Sequence, residues 1–189
     1  MKNTKNILWA LPLFSVLLFT ACEKDDPEVP NEGELITTLV YILSPDSGGG
    51  GASFTFRDLD GDGGNPPEIS TYGSLSPNRP YTGIINILDE SQTPPDGIHD
   101  EILAEADEHQ LFFQPSIGLN AAVSYNDGDI NGNPIGIETS FTTGAASTGT
   151  MTVTLRHMLN KSATGVADGD ITNAGGETDI EVTFDVAVQ

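Results

Sequence analysis

Four oxygen-bearing residues in the middle of the chain repeat at the intervals of a calcium-binding loop. They are Asp127, Asp129, Asn131 and Glu138. They fit the pattern D-x-[DN]-x-[DN]-G-x5-E, in which alternate side-chain oxygens surround a hard cation and Gly132 permits the sharp turn. The same segment also suits a plain hairpin turn, in which Asn131 and Gly132 supply positive φ angles. Both interpretations stay open: a calcium site, or a turn alone.

A second acidic loop begins in the same way. Asp58, Asp60 and Asp62 are spaced like the first three ligands of the pattern, but Ile69 stands at the twelfth position. Glu68 comes one place early and would close a shell only with a different geometry. We therefore treat this loop as the weaker calcium candidate.

Two of the three histidines border apolar strand patterns. His157 extends the face of Met151, Val153 and Leu155, while His109 follows Glu108 and precedes an apolar run. Imidazole beside a carboxylate ligates zinc or copper. No His-x-x-x-His spacing or cysteine cluster supports such a site. We therefore expect each to be a satisfied, hydrogen-bonded histidine at the edge of the core, and we expect that the nitrogens of the two side chains do not come within the about 3–4 Å that a shared metal ion needs.

Catalytic signatures are missing from the sequence. It contains no G-x-S-x-G, His-Glu-x-x-His, Walker or dinucleotide-binding motif, and its single cysteine, Cys22, lies close to the N-terminus. The only tryptophan, Trp9, also lies near that end, so the rest of the chain has no indole platform for a sugar ring. We expect a protein that is not an enzyme and needs no cofactor other than calcium, if that ion binds.

The N-terminus has the organisation of an export signal. Lys2 and Lys5 precede an apolar stretch over residues 7–19, and Thr20-Ala21 then leads to the cysteine. This pattern predicts a signal peptide over residues 1–21 and a lipid anchor on Cys22, which makes a membrane the first partner. The alternatives are an uncleaved anchor helix and an unmodified free thiol.

The rest of the chain is strongly acidic. Once Lys2 and Lys5 leave with the signal, 28 acidic residues face 5 basic ones, a net charge of −23. Such a field repels nucleic acid and anionic surfaces and attracts cations. Residues 22–33 contain Pro, Asn, Gly and charged residues without apolar periodicity, which indicates an acidic tether. Residues 34–189 are enough for one domain.

Period-two alternation of apolar and polar residues predicts a β-rich domain. The expected strands lie at 35–43, 53–57, 81–88, 111–114, 119–125, 135–142, 151–157 and 178–189, with turn clusters between them. One helix is expected from Ile98 to Ala106, capped by Asp96. These elements predict an all-β, two-layer antiparallel sandwich, immunoglobulin-like in broad architecture, with a small β-barrel as the alternative.

Several segments resemble a family of small Bacteroidetes surface or periplasmic lipoproteins. The segments are FRDLDGDGGN, DEHQLFFQ, SYNDGDINGNPIG, TTGAASTGTMTVTLRH and ITNAGGETDIEVTFDV. The acidic cluster directly behind Cys22 is similar to the export signal of surface lipoproteins in that group. The resemblance implies an outer-membrane, lipid-anchored protein, exposed on the cell surface or, alternatively, facing the periplasm. It implies no particular activity.

These observations favour a non-catalytic, membrane-anchored binding or accessory lipoprotein of the cell envelope. Its expected partner is an outer-membrane transporter or another surface protein, and calcium would stabilise it. The alternatives are a metal-acquisition lipoprotein using His109 and His157, and a purely structural envelope domain.

Overall fold

The computed structural model describes residues 35–61 and 64–189, which are built mainly from β-strands. The strands are β1 Thr38–Pro45, β2 Ala52–Arg57, β3 Glu68–Gly73, β4 Pro80–Leu88, β5 His109–Pro115, β6 Ala121–Tyr125, β7 Glu138–Thr143, β8 Ser147–His157 and β9 Glu177–Val188. A short helix, α1, covers Ile98–Ala104. The predicted signal peptide, Cys22, the tether at 22–33 and Asp62 lie outside the described residues.

The strands form two antiparallel sheets. One has six strands in the order β3-β2-β1-β4-β7-β6, and the other has three in the order β5-β8-β9. The sheets remain separate and do not close into a barrel, so the predicted all-β sandwich with one short helix is confirmed and the barrel alternative is not what forms. Both strands that border the smaller sheet, β5 and β9, pair with β8.

The core lies between the sheets and is made by the inward residues of each strand. Along β9, the residues from Ile180 to Val188 alternate strictly between buried and more exposed positions, as the sequence predicts. Phe184 of β9 stacks on Phe54 of β2 with ring centroids 5.7 Å apart, and Tyr41 of β1 contacts Phe113 of β5 at 5.1 Å. These aromatic contacts join the two layers.

Strand β3 was not predicted from the sequence. All six of its residues are exposed, including Ile69 at 48% and Tyr72 at 82%. A strand without a buried face produces no alternation of apolar and polar residues, so the usual signal is lacking. The strand is held by its pairing with β2 and by a hydrogen bond from Thr71 Oγ1 to the Asp185 carbonyl of β9 at 2.9 Å.

Helix α1 differs from its prediction at both ends. Its N-cap is Gly97, which makes no side-chain capping bond, while the Asp96 carboxylate accepts from the adjacent Gly97 N–H at 3.0 Å. The predicted Asp96 cap is therefore wrong. The helix ends at Ala104, so Ala106 packs on the core from the following turn rather than from the helix. Within the described ranges, no helix combines the length and apolar character needed to span a bilayer.

Candidate metal centre

The pairing of β5 with β8 brings two histidines together at one end of the smaller sheet. His109 is the first residue of β5, His157 is the last residue of β8, and the register places them directly opposite each other. Both continue the inward row of Leu111 and Leu155, which are also cross-strand partners. Directly opposed residues in an antiparallel pair have Cβ atoms about 5 Å apart, so their side chains touch.

The two imidazole rings stack. Their centroids are 4.4 Å apart and their planes differ by 8°. The expectation that the side chains of His109 and His157 do not come together is therefore wrong. The reason is the strand register, which no local sequence pattern reveals.

The imidazole of His109 has a defined tautomer. Its Nδ1 lies 3.2 Å from the carbonyl oxygen of Glu105, and because a carbonyl can only accept, Nδ1 carries the hydrogen. Burial lowers the pKa of His109, although the bond to Glu105 acts in the opposite direction, so the ring is neutral at pH 7. The lone pair is then on Nε2, which is buried and has no hydrogen-bond partner among the described residues.

A turn after α1 brings two carboxylates to the rings. Glu105 is the C-cap residue of the helix, and its carbonyl accepts from the N–H of Glu108 at 2.9 Å. Glu108 Oε2 lies 3.5 Å from Nε2 of His157. Three possible ligand atoms come together here, and all lie within 4.8 Å of one another. They are provided by Glu105, His109 and His157, one atom from each residue. The turn thus closes the end of the sandwich with acidic side chains.

A third carboxylate comes from a β-bulge in β9. Leu155 of β8 pairs with Ile180, but the next residue, Arg156, pairs with Thr178, so Asp179 has no partner across the ladder. Asp179 Oδ2 is buried and has no hydrogen-bond partner in the described part of the chain. Burial raises the pKa of Asp179, whereas the nearby His157 and His109 lower it.

Among the residues that the structure describes, the cluster therefore contains two buried polar atoms without a hydrogen-bond partner, His109 Nε2 and Asp179 Oδ2. Each such atom costs about 1–3 kcal/mol of folding free energy. A divalent cation would remove this penalty, because it accepts an imidazole lone pair and balances a carboxylate charge. Mixed imidazole and carboxylate ligands suit zinc, copper and nickel rather than calcium.

Coordination requires a small rearrangement of the rings. An ion about 2.0–2.1 Å from two nitrogens, in tetrahedral geometry, holds them about 3.4 Å apart and lies in the plane of each ring. Two rings only 8° from parallel do not point at one ion in this way. Rotation of one ring about its Cβ–Cγ bond would break the stack and direct both nitrogens to a shared position.

The first acidic loop is organised by hydrogen bonds to its own backbone. Both oxygens of Asp127 accept from backbone amides, those of Gly136 at 2.7 Å and Glu138 at 2.8 Å. Asp129 Oδ1 accepts from the amides of Asn131 and Asn133 at 2.8 and 2.9 Å. This arrangement is that of an Asx-type turn.

A lysine supplies the cation at this loop. Lys161 Nζ lies 3.5 Å from Asp129 Oδ2 and donates to the carbonyl oxygens of Pro134 at 2.9 Å and Ala106 at 2.5 Å. The Lys161 and Asp129 side chains are 5% and 1% exposed. Within the described residues, the three predicted carboxylate ligands of the loop do not gather within 4.8 Å of one another. Gly132 has the expected positive φ of 84°, whereas Asn131 does not adopt one. This geometry favours the turn alone, and calcium binding stays an untested alternative that a comparison with magnesium decides.

The second acidic loop also has the geometry of a turn. Asp58 Oδ1 accepts from the Gly61 amide at 2.9 Å. Asp60 Oδ2 accepts from the backbone and side-chain nitrogens of Asn65 at 3.0 and 2.7 Å, and these bonds lower the pKa of Asp60. Glu68 begins β3 and is paired in register with Arg57.

We compared the chain with protein-family profiles, curated protein sequences and solved structures. None of them matches. The resemblance to Bacteroidetes lipoproteins therefore stays a prediction.

The sequence identified part of this centre. His109, His157 and the neighbouring Glu108 were considered as zinc or copper ligands, although a shared site was not expected, and Glu105 and Asp179 were not considered. The regular alternation of β9 would place Asp179 on the outer face together with Glu181, and only the bulge changes this. No sequence signal that we can name marks the bulge in advance.

Proposed function

We propose that this protein is a non-catalytic, lipid-anchored binding protein of the cell envelope whose ligand is a divalent transition-metal ion. The observation that carries the proposal is the buried lone pair of His109 Nε2, which has no hydrogen-bond partner in the described residues and belongs to a ring stacked on His157. A neutral imidazole in this state is ready to bind a metal ion without first losing a proton.

The proposed ligands are His109, His157 and Glu105, with Asp179 as the fourth. Glu108 lies on the outer side of His157 and would orient that ring. Two carboxylates would balance the charge of a divalent ion at this site. The surrounding field is negative, since the chain has a formal net charge of −21 at pH 7. Such a field raises the local concentration of cations.

The place of action in this proposal is the outer membrane. It is supported by the basic and apolar N-terminus, which ends at Cys22, and by the acidic segment that follows. A lipid-anchored protein of this kind would collect the ion at the cell surface, or in the periplasm as the alternative, and pass it to an outer-membrane transporter. A purely structural envelope domain remains as the competing function, and it requires no metal affinity.

The test is a zinc titration of the full chain in detergent by isothermal calorimetry. We expect one site per chain, with His109→Ala and His157→Ala each weakening binding at least about a hundredfold, since these are direct ligands. The matched control is His99→Ala, because His99 lies outside the cluster, with Nδ1 3.2 Å from the Ile87 carbonyl and Nε2 3.7 Å from Asp100. This variant should bind zinc like the wild type.

Cobalt(II) provides a spectroscopic check of the ligand set. A tetrahedral centre with nitrogen and oxygen ligands should give visible absorption bands that disappear in His109→Ala and persist in His99→Ala. Zinc binding that is absent, or equally weakened by all three histidine variants, would refute the proposed centre and favour a structural role.

A further inference from the structure

The charges of this chain are distributed unevenly between the two ends of the sandwich. The connection from β4 to β5, residues 89–108, holds eight acidic residues and no Lys or Arg. In contrast, residues 110–126 and 139–155 contain no Asp, Glu, Lys or Arg. The turns from β5 to β6 and from β7 to β8 belong to these uncharged segments, and they lie at the end of the sandwich opposite the proposed metal centre.

An exposed isoleucine projects from this uncharged end on a turn with a fixed backbone. Ile117 is fully exposed, whereas Leu119, two residues later, is buried. The Leu119 amide donates to the Ser116 carbonyl at 2.9 Å and closes the turn. The turn is fastened to β8, because the Ser116 amide donates to the Thr150 carbonyl at 2.8 Å. A contact made by Ile117 therefore costs little additional ordering of the chain.

An alanine-lined hollow lies beside this turn. It has a volume of about 440 Å³ and is mostly apolar, and its lining, residues 120–122 and 142–145, includes three alanines and no charged residue. Asn120 connects its two sides, because its side-chain amide donates to the Ala145 carbonyl at 3.1 Å. Asn120 follows Ile117 by three residues, so the Cα atoms of these two residues are at most about 11 Å apart.

We propose that this end binds a second copy of the chain, with Ile117 of each copy entering the alanine-lined hollow of the other. A two-fold axis requires one surface patch to contain both a projecting group and the hollow that receives it. Ile117 and the hollow meet this requirement side by side. The side chain and the hollow are both apolar, so the contact removes apolar area from water.

The distribution of charge favours a second copy at this end. Each chain has a formal net charge of −21 at pH 7, so copies that approach through their acidic surfaces repel each other. In the proposed dimer the uncharged ends meet, and the acidic connections at residues 89–108 point away from the contact. The two ends are separated by β8, whose eleven residues span about 33 Å, well beyond the screening length of about 8 Å at physiological ionic strength. A basic partner would find no carboxylate side chain in the turns at 116–120 and 144–146.

Sedimentation equilibrium of the full chain in density-matched detergent measures the association. One side chain and one hollow per copy make a small interface, so we expect a weak, reversible dimer. Ile117→Asp should weaken it about a hundredfold, because two buried isoleucines are lost from each dimer. Ala122→Phe, which fills the hollow, should have a similar effect. Both positions are exposed, so the core stays intact. The matched control is Ile130→Asp, which places the same charge at an equally exposed isoleucine outside the contact and should leave the association unchanged.

A mixture of the two weakened variants tests the two-fold arrangement itself. In a heterodimer of Ile117→Asp with Ala122→Phe, the intact isoleucine of the second chain can enter the intact hollow of the first. One of the two contacts returns, so the mixture should associate about tenfold more tightly than either variant alone. A mixture that associates no more tightly than its components would overturn the proposal.

The dependence on salt separates this contact from attraction between charges. Added salt should tighten the dimer, because it screens the repulsion between two acidic chains. Absence of dimers at millimolar chain concentration, or equal weakening by Ile117→Asp and Ile130→Asp, would contradict the proposed contact. A monomer whose turn at 116–119 is protected from amide hydrogen exchange by lipid vesicles would also contradict it, in favour of a membrane as the occupant.

Discussion

Lys161 Nζ lies 3.5 Å from Asp129 Oδ2, inside the loop whose sequence predicts a calcium ion. The same ammonium donates to the carbonyl of Ala106, which belongs to the turn that carries Glu105 and Glu108. One buried cation therefore connects the acidic loop with the turn that closes the proposed metal centre. The two regions should respond together when this lysine is changed.

Replacement of Lys161 by Met should strongly destabilise the protein. It leaves the Asp129 carboxylate buried without its cation and removes donors from two carbonyl oxygens. Loss of one partner of a buried ion pair costs about 3–5 kcal/mol. Urea unfolding monitored by circular dichroism measures the effect. The double variant Lys161→Met with Asp129→Asn should recover part of the loss, and a strictly additive double variant would contradict a direct interaction.

Acid should remove the contribution of Asp129 to stability. Burial alone would raise the pKa of Asp129, but hydrogen bonds from Asn133 and Asn131, together with Lys161, bring it below its ordinary value. The unfolded chain therefore takes up this proton first as the pH falls below about 4. The contribution is complete above that pH and is lost as the pH falls through the pKa of the folded state.

The measurement is the difference in unfolding free energy between wild type and Asp129→Asn from pH 6 to pH 3. The difference should shrink on the acid side of pH 4. A difference that stays constant over this range would show that Asp129 is not held as a carboxylate by its neighbours.

Calcium and magnesium should stabilise the protein equally in thermal melts. Both oxygens of Asp127 and Oδ1 of Asp129 already accept from backbone amides, and Asp129 Oδ2 faces Lys161. We therefore expect both ions to act only by screening the acidic surface. The double variant Asp129→Ala with Glu138→Ala should show the same equality. A larger calcium shift in wild type, absent from the double variant, would mean that the loop displaces Lys161 and binds the ion.

Much of the fold follows from alternation alone, because burial of one face imposes period two. Most strands were predicted within a few residues, and β9 most clearly. Strand β3 was not predicted, because a strand that is exposed on both faces shows no period-two alternation. Prediction of the metal centre would instead require the register between β5 and β8. Sequence patterns can place His109 and His157 on inward faces, but they do not say which strands become neighbours.

Asp179→Asn should separate metal affinity from stability. Burial disfavours the charged form of Asp179, so a neutral amide of the same shape should stabilise the metal-free protein by about 1 kcal/mol. Zinc at a hundredfold excess over Kd should stabilise the wild type by about 2.7 kcal/mol. The variant should lose most of this gain at the same zinc concentration. Thermal melts with zinc and with chelator measure both effects. Stabilisation by zinc that is the same in Asp179→Asn as in the wild type would exclude Asp179 as a ligand.

Cys22→Ser should release the protein from the membrane. The prediction follows from the signal pattern and from the absence of any other cysteine in the sequence. Cell fractionation combined with labelled palmitate tests it, and the variant should appear in the soluble fraction without label. A variant that still sediments with membranes and keeps the label would refute the lipid anchor.

The bulge at Asp179 has a consequence for how such a protein can change over evolutionary time. Removal of this one residue would make Thr178 and Ile180 adjacent in the chain. Their partners on β8, Arg156 and Leu155, are already adjacent, so the ladder between β8 and β9 would become uninterrupted. A single-codon deletion would thus take away one proposed ligand and leave every strand in place. Descendants of one ancestral sandwich could in this way gain or lose the ion while keeping the same architecture.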